Sequence, residues 1–161
     1  MEQITIRPIQ QEDNAAVAII IRNALKEFGA DKPGTVYYDE TTDHLFELFQ
    51  KEKSAYAVAM EKNQILGGAG IYPTNDLPAG TCELVKIYLA PEARGKGIAG
   101  QLMKFCFDTA LKNGFTKMYI ETMPELATAI KIYEKLGFTF LKQPMGNSGH
   151  SGCDIFMIKE L

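Results

Sequence analysis

The chain has no tryptophan, only two histidines and only three cysteines among its 161 residues, and each shortage removes a class of function. His44 and His150 stand far apart, and Cys82, Cys106 and Cys153 are equally scattered, so no metal-ligand spacing exists and no metal is expected. An odd, dispersed set of cysteines argues against a disulfide framework and predicts reduced thiols in a cytoplasmic protein. No apolar run approaches the roughly 20 residues of a membrane-spanning helix. The opening MEQITIRPIQ has neither the basic region nor the apolar core of a secretory leader. Charge of one sign is scarce too: a net charge of −3 sets up no field for nucleic acid or an anionic membrane. Repeats, low-complexity tracts and linkers are missing, so residues 1–161 read as one domain long enough to bury a core.

What is present is a loop. The apolar segment Leu84–Leu89 reads as a strand, the sequence ARGKGIAG begins at Ala93, and an amphipathic helix follows with Ile98, Leu102, Met103, Cys106 and Ala110 on one stripe. Strand, glycine-rich loop and helix start in that order suit a phosphorylated ligand. Small residues let backbone amides approach an anion, and the helix start adds unpaired N–H groups and the positive end of its dipole. A nucleotide P-loop is excluded because Lys96 is followed by Gly97 rather than Ser or Thr. Gly95, Gly97 and Gly100 fit a dinucleotide GxGxxG, but no acidic residue is clearly placed at the end of a following parallel strand.

Periodicity along the rest of the chain predicts mixed α/β. Strands are expected over 3–7, 56–61, 64–72, 81–89, 118–121, 138–141 and 154–158, and helices over 11–28, 44–50, 97–113 and 127–136. Residues 30–40, with Pro33, Gly34 and the pair Tyr37–Tyr38, read as a loop, and so does 142–153.

Arg94, Gly97 and Ala99 satisfy R/Q-x-x-G-x-G/A, and downstream lies AIKIYEKLGF, Ala129 to Phe138. In this order the two motifs resemble those of the GCN5-related N-acetyltransferases, the GNAT superfamily, over roughly the C-terminal half of the chain. Leu126 stands where many members carry an Asn. The resemblance implies the GNAT fold: an α/β (α+β) domain with a central mixed, mostly antiparallel sheet of about seven strands flanked by about four helices. It also implies acetyl-CoA as acyl donor, without metal. The acceptor would be a primary amine of a small molecule or of a peptide or protein, attacking directly in a ternary complex. Homodimers are common in the family.

The same resemblance distributes roles. The backbone of Ile87, Tyr88 and Leu89 would pair with the pantetheine arm, and Arg94, Gly95, Lys96, Gly97, Ile98, Ala99 and Gly100 would hold the phosphates. Glu83 lies four residues before that stretch, the spacing of the base glutamate in histone-acetylating members. It either accepts the amine's proton, its pKa raised by desolvation, or sits solvated on an outer strand face. Glu121, at the end of the next strand, is the rival base or a surface carboxylate, and water could relay the proton. Tyr133 is expected to protonate the departing thiolate, and as Ile130, Tyr133 and Gly137 share a helical face it also reads as a packing residue. Tyr37, Tyr38 and Asp39 form one expected wall of the acceptor pocket. The loop GNSGHSGCD with His150 forms the other, or is only a flexible connection. Cys82 and Cys106 read as buried small hydrophobes. A coenzyme-binding sensor would need the loop without Glu83 and Tyr133; their presence favours the enzyme. Among acceptors, the acidic pI of about 5.4 mildly suits a cationic amine.

Overall fold

The structure, a computed structural model, describes residues 3–161. Its frame is one sheet of seven strands: Ile4–Pro8 (β1), Ala55–Glu61 (β2), Gln64–Tyr72 (β3), Thr81–Leu89 (β4), Lys117–Thr122 (β5), Thr139–Leu141 (β6) and Ile155–Glu160 (β7). They lie in the order β1-β2-β3-β4-β5-β7-β6. Neighbours run antiparallel except β4 and β5. That parallel pair cannot be closed by a hairpin, and the helix Ile98–Lys112 (α3) makes the crossover.

The parallel ladder is short. Thr81, Cys82 and Glu83 face Lys117, Met118 and Tyr119, and no pairing continues beyond. From Leu84 onward β4 keeps only its partner β3, while β5 turns its other edge to β7. The sheet is therefore split open in its middle, with one edge of β4 bare.

Apolar side chains on both faces bring helices to both faces. On one face α3 and the helix Ala127–Lys135 (α4) put Leu102, Met103, Cys106 and Tyr133 against Leu66, Leu84, Met118 and Ile120. On the other, the helix Asn14–Glu27 (α1) and the single turn Leu45–Leu48 (α2) put Val17, Ile21, Leu25 and Leu45 against Tyr56 and Val58. Each buried side chain of this size contributes roughly 1.5–3 kcal/mol. Cys82 and Cys106 are buried among them.

Departures from the sequence expectations have local causes. The helix expected from residue 11 begins with a 3-10 turn, Gln11–Asp13. Asp13 accepts two bonds from Arg7, at 2.7 and 2.9 Å, and one from the Gln10 amide at 2.7 Å, which holds the entry tight. The helix expected over 44–50 shrinks to α2, whose Phe46 amide donates to the Asn14 side chain at 2.8 Å. The segment 30–40 is not featureless, for Val36–Tyr38 and Glu40–Asp43 each form a 3-10 turn. β7 runs to Glu160 because its register continues along β5 to Lys117.

Candidate active site

The loop after β4 forms one end of the site. Gly95 and Gly97 have φ of 75° and 74°, a left-handed conformation that a Cβ disfavours. Gly97 caps α3. A Cβ built at Gly95, Gly97 or Gly100 would meet nothing within 4 Å, so these residues border open space rather than packed protein. Gln101 is the first α3 amide to find a helical acceptor, the Gly97 carbonyl at 3.3 Å. The preceding amides at the helix start are left for a ligand or water. Ile98 is buried and anchors the turn.

Two cations of this loop are engaged differently. Arg94 grips Glu27 of α1 with two bonds of 2.8 Å, and its guanidinium lies 5.1 Å from the Phe28 ring centre. Its side chain thus walls the cleft. Lys96 meets Glu61 at 3.3 Å on the exposed surface, an interaction worth well under about 1 kcal/mol, so it can turn to a ligand cheaply.

Below the loop, the split between β4 and β5 holds a cavity of about 190 Å³ lined by Leu84, Tyr88, Leu89, Arg94, Ala129 and Tyr133, among others. The Ile87 and Leu89 side chains join the core under α3 and α4, and the Tyr88 side chain joins the opposite one. Tyr133 is 6% exposed. Burial holds its hydroxyl far above the ordinary tyrosine range, hence protonated, and its ring meets Phe138 edge-on at 5.9 Å. Tyr133 is thus both core and cleft wall, and its hydroxyl makes no hydrogen bond with the described residues.

On the α1 side a second cavity, about 180 Å³, is lined by Asp39, Thr74, Glu83, Lys86, Ser148 and His150, among others. A narrow space of about 40 Å³ bordered by Glu83, Lys86, Glu121 and Cys153 adjoins it. Both share Lys86 with the cleft. Glu83 is not on a solvated face: it is 4% exposed, and among the described residues its carboxyl takes one hydrogen bond, from the Thr74 hydroxyl at 2.6 Å. Desolvation pushes its pKa up to about 7, with Thr74 opposing and the charge of Glu121 adding.

Glu121 is occupied. Tyr119 donates to one of its oxygens at 2.7 Å, Ser148 donates to the other, and the Met145 amide donates to the Tyr119 hydroxyl at 3.0 Å. The carboxylate that sequence offered as a rival base therefore ties the 142–153 loop to β5. His150 bonds Asp39 through Nε2 at 2.8 Å, and Asp39 also accepts from Thr41. The His150 bond holds Asp39 well below the usual carboxylate range. Of the expected wall, Tyr37 and Tyr38 meet edge-on at 5.0 Å, Tyr38 is 61% exposed, and neither borders these cavities. Asp39 does line the cavity, with Thr41 beside it. Cys153 lies beside the narrow space, but burial pushes its thiol up to about 12, which leaves little thiolate at neutral pH.

Sequence reasoning missed Thr74 and Lys86. Thr74 gives no signal in its loop. Lys86 does, as a lone cation inside the apolar strand run LVKIYL.

The chain resembles known proteins in sequence and fold. The model of the acetyltransferase (GNAT) family matches residues 21–138. An uncharacterized N-acetyltransferase of Escherichia coli K12, YjgM, is 37% identical over 158 residues, covering 97% of this chain and 94% of the relative. Among solved structures, a GNAT-family acetyltransferase of Staphylococcus aureus Mu50 superposes with a TM-score of 0.82 at 16% identity, over 99% of both chains. A putative acetyltransferase of Salmonella typhimurium, yncA, solved with its cofactor acetyl-CoA, superposes with a TM-score of 0.74 at 25% identity, over 99% of this chain and 94% of that one. The chain belongs to the GNAT acetyltransferase family.

Proposed function

We propose that this GNAT-family chain is a single-domain N-acetyltransferase that moves the acetyl group of acetyl-CoA to a primary amine. The observation that carries the reading is the placement of Glu83 and Tyr133. A buried carboxyl with a pKa of about 7 lines the acceptor-side cavities, and a protonated tyrosine hydroxyl, without a hydrogen bond among the described residues, lines the cleft on the other side. The transfer needs a proton acceptor on the amine's side and a proton donor on the sulfur's side.

The residues present fit acetyl-CoA. The open space at Gly95, Gly97 and Gly100 and the free amides at the start of α3 suit its pyrophosphate. The bare edge of β4 after Glu83 offers backbone groups to an amide-bearing arm. When bound, it supplies an activated thioester. Glu83 takes the proton the amine must lose, and Thr74 fixes the orientation of its carboxylate. Amides on the bare β4 edge are available to the oxygen that gains charge. Tyr133 gives a proton to the sulfur as the C–S bond is exchanged for C–N, and solvent restores it.

The test is release of CoA thiol from acetyl-CoA in a screen of amines. At least one amine should be turned over by the wild type, and Glu83→Gln should lower its rate about 10²-fold or more. Acetyl-CoA binding without turnover of any amine would instead fit a coenzyme sensor.

A further inference from the structure

β4 is interrupted at one residue. Gly68 faces Tyr88 and Gly70 faces Val85, so Lys86 and Ile87 both stand against Ala69. Lys86 takes up the irregularity with a φ of 54°, a conformation that costs a non-glycine residue about 1–3 kcal/mol. Tyr56 holds it there. Its hydroxyl, fully buried, donates to the Lys86 carbonyl at 2.8 Å, and its ring fills the space left by the missing side chains of Gly68 and Gly70.

The consequence is a buried cation at the meeting point of the cavities. Lys86 is 7% exposed and borders the cleft, the acceptor-side cavity and the narrow space between them. Burial lowers its pKa, with the charges of Asp39, Glu83 and Cys153 opposing, and its ammonium forms no ion pair or side-chain hydrogen bond with the described residues. The carboxylates nearby are committed elsewhere: Asp39 to His150 and Thr41, Glu83 to Thr74, Glu121 to Tyr119 and Ser148. A cation so enclosed loses much of its hydration and gains no protein partner in return, and an anion entering the cavity would supply one.

We propose that Lys86 is a specificity-determining contact that binds a carboxylate carried by the acceptor, so the preferred substrates are small amines that bear a carboxylate, such as amino acids. Glu83 receives the amine end and Lys86 the acid end. The acceptor-side cavity, about 180 Å³, is smaller than the roughly 300–1,000 Å³ of drug-sized sites and suits such a molecule. The inference rests on the acetyltransferase reading above.

The experiment compares matched pairs: α-, β- and γ-amino acids and dipeptides against their C-terminal amides, with acetyl-CoA, in the wild type, Lys86→Met and Lys86→Arg. The wild type should prefer the acid over the amide by about tenfold or more in kcat/KM, the size of one charge-assisted hydrogen bond. Lys86→Met should erase that preference by lowering turnover of the acids and sparing the amides, while Lys86→Arg keeps part of it. Thermal stabilisation by acetyl-CoA should survive in Lys86→Met, which shows an intact fold and cleft. Equal use of acids and amides by the wild type, a preference unchanged in Lys86→Met, or an equal loss for both members of each pair would overturn the inference. So would acetyl-CoA binding with no turnover of any acid-bearing amine. Absence of acetyl-CoA binding in the wild type would instead remove the acetyltransferase reading itself.

Discussion

In the proposed mechanism Glu83 is the base, and its environment makes a pH prediction. The free carboxylate is the active form, so kcat/KM should rise with pH through about 7, and Glu83→Gln should flatten that limb. Stability should move the other way. The folded-state pKa, about 7, lies above the ordinary value of 4.5, so the folded protein holds this proton more tightly than the unfolded chain. Its stability falls as pH rises from about 4.5 to about 7. Glu83→Gln should therefore stabilise the protein at pH 8, by on the order of 2–3 kcal/mol, as denaturant unfolding at pH 4.5 and pH 8 would show. Tyr133→Phe should lower turnover about tenfold or more while the Kd for acetyl-CoA, from calorimetry, stays within about twofold. A native rate in that variant would exclude Tyr133 as acid. Both residues could be proposed from the sequence because each sits in or beside a motif. Thr74 gave no signal, since its place depends on a loop folding back onto β4, and the lone cation Lys86 showed in LVKIYL without the bulge that sets its position.

Two elements turn those residues into a site: the glycine-bordered start of α3 and the irregular β4. The glycines of the first have separable roles. Gly97→Val puts a β-branched side chain at a φ of 74°, so it should cost about 1–3 kcal/mol of stability and abolish acetyl-CoA binding. Gly100→Ala lies at a helical position with open space around it. It should raise stability by about 0.5–1 kcal/mol yet weaken acetyl-CoA binding, because the added methyl points into the space the phosphates need. Thermal unfolding with and without ligand separates the two effects, and a Gly100→Ala variant that binds normally would remove the loop from the phosphate site. Seven strands and four helices were legible from periodicity and the motifs, since most segments have a clear apolar pattern. The bulge at Lys86 was not, because LVKIYL reads as an uninterrupted strand. The one-turn α2 was overcalled, because Leu45, Leu48 and Phe49 keep helical spacing although Phe49 already packs on Tyr56 as the helix ends.

For the whole molecule, the decisive feature is a sheet that fails to close. β4 and β5 pair over three residues and then part, and helices on both faces line the opening, which becomes a cleft on the α4 side and a charged cavity on the α1 side. Arg94 joins the phosphate loop to Glu27 of α1 across this opening, and the hydrogen bonds from Ser148 to Glu121 and between His150 and Asp39 draw the 142–153 loop over it. No sequence pattern records where two parallel strands separate, so the opening became visible only in three dimensions. The most direct test of the account is thermal unfolding with acetyl-CoA, with CoA, NAD and ATP alongside. At a hundredfold excess over its Kd, a ligand of the folded state adds about 2.7 kcal/mol, a shift of roughly 5–10 °C for a chain of this length. The account predicts that shift with acetyl-CoA and CoA and none of that size with NAD or ATP. A shift with NAD or ATP alone, or no shift with any of the four, would contradict it.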